Sequence, residues 1–334
     1  MALVRTLVAG HVCIDLMPRH ERPAELLPGR LFDVGPLTLR PGGCVANTGL
    51  DLAALGGDVR LAADVGDDEL GRLLRSLLRT QGVDATGIRP LPGCNTSYSI
   101  VVQPPGADRT FWHHVGANAH FDGRHLDLTG IDVLHLGYPT LLPCLYEQGG
   151  RQLAALLDRA RARGITTSVD LATVDPSSQA ARHDWEALLR AALPLVDVFA
   201  PSVDDLASAL GAARSAAQWA DDLVAAGAAV VMVKAGAAGL YLRTAGRERM
   251  ERAGPLLARA AEQWCDRALH APARAVEVVS TNGAGDAAAA GLLYGITAGM
   301  SPSDALDVAA DAAAARVGGL DRLPPFEELS VTTG

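Results

Sequence analysis

Three features of the 334-residue sequence predict an α/β fold with a mostly parallel sheet, helices on both faces and a small β-lid. The first is alternation of short apolar runs with longer segments of helical spacing, which lays strands side by side and helices across them. The second is a pair of breaks in that rhythm, where strand-like runs follow one another without a helix. The third is the absence of any internal repeat, low-complexity tract or long linker, so residues 1–334 read as one domain with lid strands inserted at about 31–39 and 96–114.

The strands are expected in order at "VRTLVAG" (4–10), "VRLAADVG" (59–66), "VLHLGYP" (133–139), "ITTSVDL" (165–171), "VDVFAP" (196–201), "AAVVMVKAG" (228–236) and "AVEVVS" (275–280). Helical spacing fills the gaps, as in "LYEQGGRQLAALLDRARARG" (145–164) and "WEALLRAAL" (185–193). The lid strands are "LFDVGPLTL" and "TSYSIVVQPPGADRTFWHH", the latter folded back at a Pro-Gly turn. The arginine-rich stretch 244–270 reads as a solvated surface helix over a sheet edge.

Composition narrows the function. A formal net charge of −9, with 29 basic against 38 acidic residues, argues against an electrostatic grip on nucleic acid. No run approaches the roughly 18 apolar residues of a membrane span, and a cytoplasmic location without a membrane partner is expected. Five scattered cysteines without a CxxC pair point to free thiols, not to disulfides or a zinc site.

The stretch "STNGAGDAAAAG" (280–291) sets one carboxylate, Asp286, among residues with almost no side chain. A Walker A loop needs a lysine after its last glycine, and Lys234, the sole lysine, lies elsewhere. A dinucleotide fingerprint is formally matched by Gly283, Gly285 and Ala288, yet too little chain follows to complete a βαβ unit. The third reading is a helix N-terminus used as an anion hole, where Gly283, Ala284 and Gly285 bare their amides to a phosphoryl group. Asp286 then stands where it can accept the proton of an attacking hydroxyl. The plainer alternative is a carboxylate that only caps a tightly packed helix.

With these residues in view, the sequence resembles the ribokinase-like, or PfkB, carbohydrate kinases, whose signature is close to D-T-x-G-A-G-D. "STNGAGD" matches it at Thr281, Gly283, Ala284, Gly285 and Asp286. "VAGHVCIDLMP" looks like the family's first strand and turn, with Asp15 as the group that binds substrate hydroxyls. "RPGGCVANTGL" is similar to its GGxxxN element, which implies that Gly42, Gly43 and Asn47 face the sugar. "ADVGDDELGRLL", "GADRTF" and "VGAN" follow in the family's order. "FAPSVDDL" stands in the place of a PNxxE element tied to magnesium and phosphate, and "VVMVKAGAAGLYL" in that of the nucleotide strand-turn-strand with Gly236 and Gly239.

The resemblance implies a ribokinase-like three-layer α/β/α sandwich, Mg²⁺ and ATP as cofactors, a small-molecule sugar as substrate and a homodimer joined through the lid. It implies an ATP-dependent sugar kinase, with a nucleoside kinase or a catalytically weakened sugar- or nucleotide-sensing protein as alternatives. Ser202 and Asp205 take the places of Asn and Glu, so Asp205 is expected to reach Mg²⁺ indirectly. Ser280 replaces the aspartate beside which relatives hold a monovalent cation, which puts potassium activation in doubt.

Other residues have a functional and a plain reading. Arg109 in the lid is placed to clamp the substrate, although a surface arginine on an exposed strand looks the same in sequence. Asn47, expected on the sugar, is alternatively an N-cap. Lys234 is placed near a phosphate, against the ordinary case of a strand-end lysine pointing to solvent. His113 and His114 alternate along a strand and should face opposite sides, which argues against a zinc cluster with His120 and His125. Trp264 is expected in packing, and Arg72, Arg75 and Arg79 on a solvated helix face.

Overall fold

The computed structural model describes residues 4–23, 27–105 and 109–329. The strands are β1 (Arg5–Gly10), β2 (Cys13–Pro18), β3 (Leu37–Gly42), β4 (Asp58–Gly66), β5 (Asp84–Leu91), β6 (Tyr98–Val102), β7 (Thr110–His114), β8 (Val133–Gly137), β9 (Thr166–Asp170), β10 (Val198–Phe199), β11 (Val230–Lys234), β12 (Leu240–Thr244) and β13 (Ala268–Ala271). The helices are α1 (Gly43–Ala54), α2 (Glu69–Thr80), α3 (Pro143–Arg161), α4 (Trp185–Ala192), α5 (Val203–Leu210), α6 (Ala216–Ala225), α7 (Arg247–Glu251), α8 (Pro255–Arg259), α9 (Ala261–Trp264), α10 (Ala284–Thr297), α11 (Pro302–Val317) and α12 (Phe326–Leu329). Within α3 the backbone leaves the helical region from Glu147 to Gly150, where glycines 149 and 150 take positive φ.

Nine strands form the large sheet in the order β13-β12-β11-β10-β9-β8-β1-β4-β5. All neighbours are parallel except β12, which runs against β11 and β13. Its inner strands are buried on both faces because both are covered. In β11, Val231 and Val233 point into one core with Leu153 and Trp219, while Val230 and Met232 point into another with Leu292 and Ala309. The small residues of α10 have a packing reason: a Cβ on Gly291 would stand 2.7 Å from Ala309 Cα, and one on Gly295 2.5 Å from Ala305 Cβ. Glycines there let α10 and α11 lie backbone to backbone.

The second sheet has the order β3-β2-β6-β7 and forms the lid. It departs from the sequence reading in two ways. The first lid strand occupies Leu37–Gly42 and not 31–39, because Gly35 and Pro36 interrupt the run and Pro36 has no N–H for a ladder. The stretch Cys13–Pro18, read as a turn after the first strand, is instead the strand between β3 and β6. The second lid hairpin forms as expected from β6 and β7, although Gly106 of its Pro-Gly turn, with Ala107 and Asp108 of "GADRTF", lies outside the described residues.

The expected final strand "AVEVVS" does not form. Val278 and Val279 are 68% and 59% exposed, and the amides of Val279 and Ser280 donate instead to the Val317 carbonyl at 2.9 and 3.2 Å. The edge position belongs to β13, whose Ala268–Ala271 pairs with β12 despite weak strand propensity; tertiary pairing overrides it. The arginine-rich stretch is thus three short helices plus an edge strand, with Met250, Leu257 and Trp264 buried beneath. Trp264 is packed as expected, its indole N–H donating to Met300 O at 3.2 Å. All five cysteines are free thiols, and no helix among the described residues is long and apolar enough to cross a membrane.

Candidate active site

The parallel strands β1, β8, β9 and β11 end together, and the lid stands beside their carboxyl ends, the place where open α/β sheets bind ligands. The chain leaves β1 at Gly10, passes His11 and enters the lid as β2. Asp15 therefore sits mid-strand in the lid and not in a turn, 6% exposed, and pairs across the sheet with Ser99, which pairs with His113. Direct pairs share a face, so Asp15, Ser99 and His113 form one row turned toward the body of the protein. Burial pushes the Asp15 carboxyl above its usual range, against hydrogen bonds from Cys13, Asn282 and Ser99, and the Asp286 charge adds to the rise.

Gly42 and Gly43 fit against this row. A Cβ on Gly42 would lie 2.5 Å from the Asp15 carboxylate, and Gly43, at φ +79°, would place one 2.5 Å from His11 Nδ1. The turn into α1 needs both residues bare. His11 Nε2 lies 3.3 Å from His113 Nε2, and His113 Nδ1 lies 3.0 Å from Ser99 Oγ. Burial holds the His11 imidazole well below its ordinary value and His113 down to about 4, so both rings are neutral near pH 7. His114 points the other way and packs on Tyr98, ring centroids 5.3 Å apart.

Asp286 is the third residue of α10 and is 3% exposed. Gly283 is the N-cap with φ +75°, a left-handed conformation that glycine adopts freely, and no side chain caps this end. The Asp286 carboxylate accepts hydrogen bonds from Asn47 Nδ2 at 2.9 Å, Thr48 Oγ1 at 3.2 Å and Tyr138 Oη at 2.7 Å. Asn47 lies inside α1, whose N-cap is Gly42, so the N-cap alternative fails. Its amide reaches Asp286.

Lys234 does not point to solvent. Its Nζ is 2.7 and 2.9 Å from the two Asp170 oxygens, and a Cβ on Gly285 would come within 3.4 Å of it, so the ammonium lies under the first turn of α10. Burial works against that ammonium, but Asp170 and Asp205 outweigh it and raise Lys234 above its ordinary value. Ser202 and Asp205 form a capping box on α5: Ser202 Oγ accepts from the Asp205 amide and Asp205 Oδ2 from the Ser202 amide. Asp205 Oδ1 accepts from Thr173 at 3.2 Å. Gly236 takes φ +54° with open space around it, whereas a Cβ on Gly239 would strike Ala271 O at 2.1 Å.

Arg109 comes from the lid to Thr281, its guanidinium meeting the Thr281 hydroxyl and, at 3.4 Å, the carbonyl. The structure thus joins Asn47 to Asp286, Gly42 to Asp15, Gly43 to His11, Gly285 to Lys234 and Arg109 to Thr281. Tyr138, Thr48, Asp170 and His11 join them, and sequence reasoning passed over all four. Tyr138 and Asp170 follow or end apolar strands, so strand carboxyl ends were the signal available for them.

The family model for pfkB family carbohydrate kinases matches residues 5–321. A fructokinase of Klebsiella pneumoniae is 28% identical over 320 residues, covering 93% of this chain and 91% of its own. An aminoimidazole riboside kinase of Salmonella typhimurium is 28% identical over 299 residues, covering 88% and 81%. A ribokinase of Arabidopsis thaliana, solved with ribose and ATP, superposes with a TM-score of 0.74 at 18% identity over 99% of both chains. The matched span takes in both sheets and the Asp286 loop, and the chain belongs to the pfkB family of carbohydrate kinases, phosphotransferases of the ribokinase-like fold.

Proposed function

We propose that this kinase transfers the ATP γ-phosphoryl group to a hydroxyl of a monosaccharide or related sugar. The observation that carries the reading is the placement of Asp286 in the first turn of α10, across the pocket from Asp15. Asp15 and Asn47 hold and orient hydroxyls at the lid side. Asp286 accepts the proton of the attacking hydroxyl, and the amides of Gly283, Ala284 and Gly285 face the charge that develops on the phosphoryl group. Lys234 adds fixed positive charge behind those amides, while Gly236, Gly239 and Thr281 lie on the nucleotide side.

ATP with Mg²⁺ supplies the phosphoryl group when bound. The α10 N-terminus has no side-chain cap, its Ala284 amide makes only a long 3.4 Å contact to Thr281 O, and Lys234 lies beneath it, which fits a polyphosphate. Both Asp205 oxygens already serve Ser202 and Thr173, so Asp205 would hold Mg²⁺ through bound water. The solved Arabidopsis ribokinase carries ribose and ATP, which supports the pairing of sugar and nucleotide.

A second reading, a nucleoside kinase, is favoured by Phe111. It shares the pocket face of the lid with His113, is 43% exposed, and offers an aromatic wall for a base. The Salmonella riboside kinase is consistent with that reading. On the opposite face of the lid, exposed Leu37, Leu39 and Trp112 suit a second copy of the chain as partner.

The test is ADP release with Mg·ATP against ketoses, aldoses, sugar acids and nucleosides, with and without potassium, for the native chain and Asp286→Asn. Turnover with one class names the substrate, and its loss in Asp286→Asn with ATP binding retained supports the base. An Asp286→Asn variant with native kcat refutes that role. Silence across the panel with ATP bound favours a sensing protein.

A further inference from the structure

Tyr138 is one of three non-glycine residues with positive φ among the described residues, at +58°, and its side chain ends on Asp286. A glycine would take that conformation without cost, and a following proline, Pro139, makes it harder still for a bulky residue. The backbone is fixed on both sides: the Tyr138 amide donates to Asp170 O at 3.1 Å and its carbonyl accepts from Leu141 at 2.8 Å. Strain held in this way at the end of β8 is kept for what the side chain does.

The hydroxyl donates to Asp286 Oδ1 at 2.7 Å, and Thr48 donates to the same oxygen at 3.2 Å. Oδ2 receives Asn47 alone of the three donors. We propose that Tyr138 is a positioning residue for Asp286: with Thr48 it saturates Oδ1, fixes the carboxylate plane and leaves Oδ2 as the oxygen that takes the acceptor proton. Burial, and then the Asp286 charge, push the Tyr138 phenol well above its ordinary value, so it stays an O–H donor throughout the working range. The ring lies 5.7 Å from the His11 ring, whose Nε2 is 3.3 Å from His113 Nε2 of the lid.

This inference rests on the reading of Asp286 as the general base, and the experiment separates the two. Carboxyl ¹³C chemical shifts of aspartate-labelled protein are compared at one pH for the native chain, Asp286→Asn, Tyr138→Phe and Thr48→Val. The resonance lost in Asp286→Asn is that of the base. Tyr138→Phe keeps ring and backbone, removes one donor to Oδ1, and is expected to move that resonance while leaving those of aspartates remote from Tyr138 in place. Thr48→Val moves it the same way by less, and this variant carries the test of Oδ1 if Tyr138→Phe does not fold.

Turnover of D-fructose with Mg·ATP is followed in parallel. For Tyr138→Phe kcat is expected to fall about tenfold, the equivalent of losing one hydrogen bond to a charged group, with the KM for ATP unchanged. An unmoved Asp286 resonance in both variants overturns the positioning role even if Asp286→Asn is inactive. Conversely, native turnover in Asp286→Asn removes the base while a moved resonance still shows that Tyr138 holds this carboxylate.

Discussion

The Lys234 ammonium is bracketed by both oxygens of Asp170, at 2.7 and 2.9 Å, at the ends of strands β11 and β9, with Asp170 sealed from solvent. Breaking such a pair from one side leaves an uncompensated buried charge. Lys234→Met is expected to lose about 3–5 kcal/mol in urea unfolding. Adding Asp170→Leu should return most of that stability but none of the turnover, because the cation behind the α10 amides is gone. A single variant within about 1 kcal/mol of the native protein would contradict a buried ion pair.

Two glycines test the Asp15 side of the pocket. Gly42→Ala and Gly43→Ala each drive a methyl to 2.5 Å of an Asp15 or His11 atom, and Gly43 adds a left-handed backbone. The expected outcome is a KM for the sugar at least tenfold higher, about 1.4 kcal/mol of binding, with the KM for ATP unchanged. Gly82→Ala is the control. It shares the positive φ, at +76°, but has nothing within 4 Å, so it should cost about 1 kcal/mol of stability and leave both KM values alone.

Acid sensitivity has a local source in His135. The ring is fully buried between Cys44 Sγ at 3.2 Å and Ser168 Oγ at 2.8 Å, and burial, with Lys234 adding to it, lowers its pKa to about 3. The unfolded chain, near 6.5, therefore binds the proton first, so stability falls as pH drops below 6.5 and continues to fall until about 3. Between pH 6.5 and 5 the native protein should lose about 2 kcal/mol relative to His135→Asn, measured by urea unfolding at each pH. Equal pH slopes for the two proteins would show that this ring is not held neutral.

Much of the site could be read from residue types alone. The glycines at 42 and 43 mark close approaches, Gly283 a left-handed helix cap, and the isolated Asp286 among alanines a helix start. The strands β1, β4, β8, β9 and β11 are legible as short runs with apolar residues between segments of helical spacing. What escaped depended on partners remote in sequence. "AVEVVS" has the composition of a strand but finds no ladder, while Ala268–Ala271 has little propensity and pairs with β12. Cys13–Pro18 reads as a turn because it follows the first strand directly, and only its pairing with β3 and β6 makes it a strand. Tyr138, Thr48 and Asp170 owe their roles to side chains 148, 238 and 64 positions away, and no local pattern encodes those contacts.

The lid's outer face predicts assembly. Leu39 pairs with Leu16, Leu16 with Ile100 and Ile100 with Trp112, so one apolar row crosses all four strands on the face opposite Asp15. Its two ends are open, Leu39 at 37% and Trp112 at 44% exposure, and Leu37 beside them is 57% exposed. Apolar ends on an exposed sheet favour burial against a second copy. Trp112→Glu should halve the mass measured by sedimentation while leaving the melting temperature of the monomer almost unchanged, since a half-exposed site carries little folding energy. Its neighbours on β7, Phe111 and His113, face the pocket, so the monomeric variant should also bind sugar more weakly, with KM raised and kcat nearly intact. A variant that keeps the native mass would place any assembly on another surface; a monomer with native KM would make the lid's closure independent of the partner.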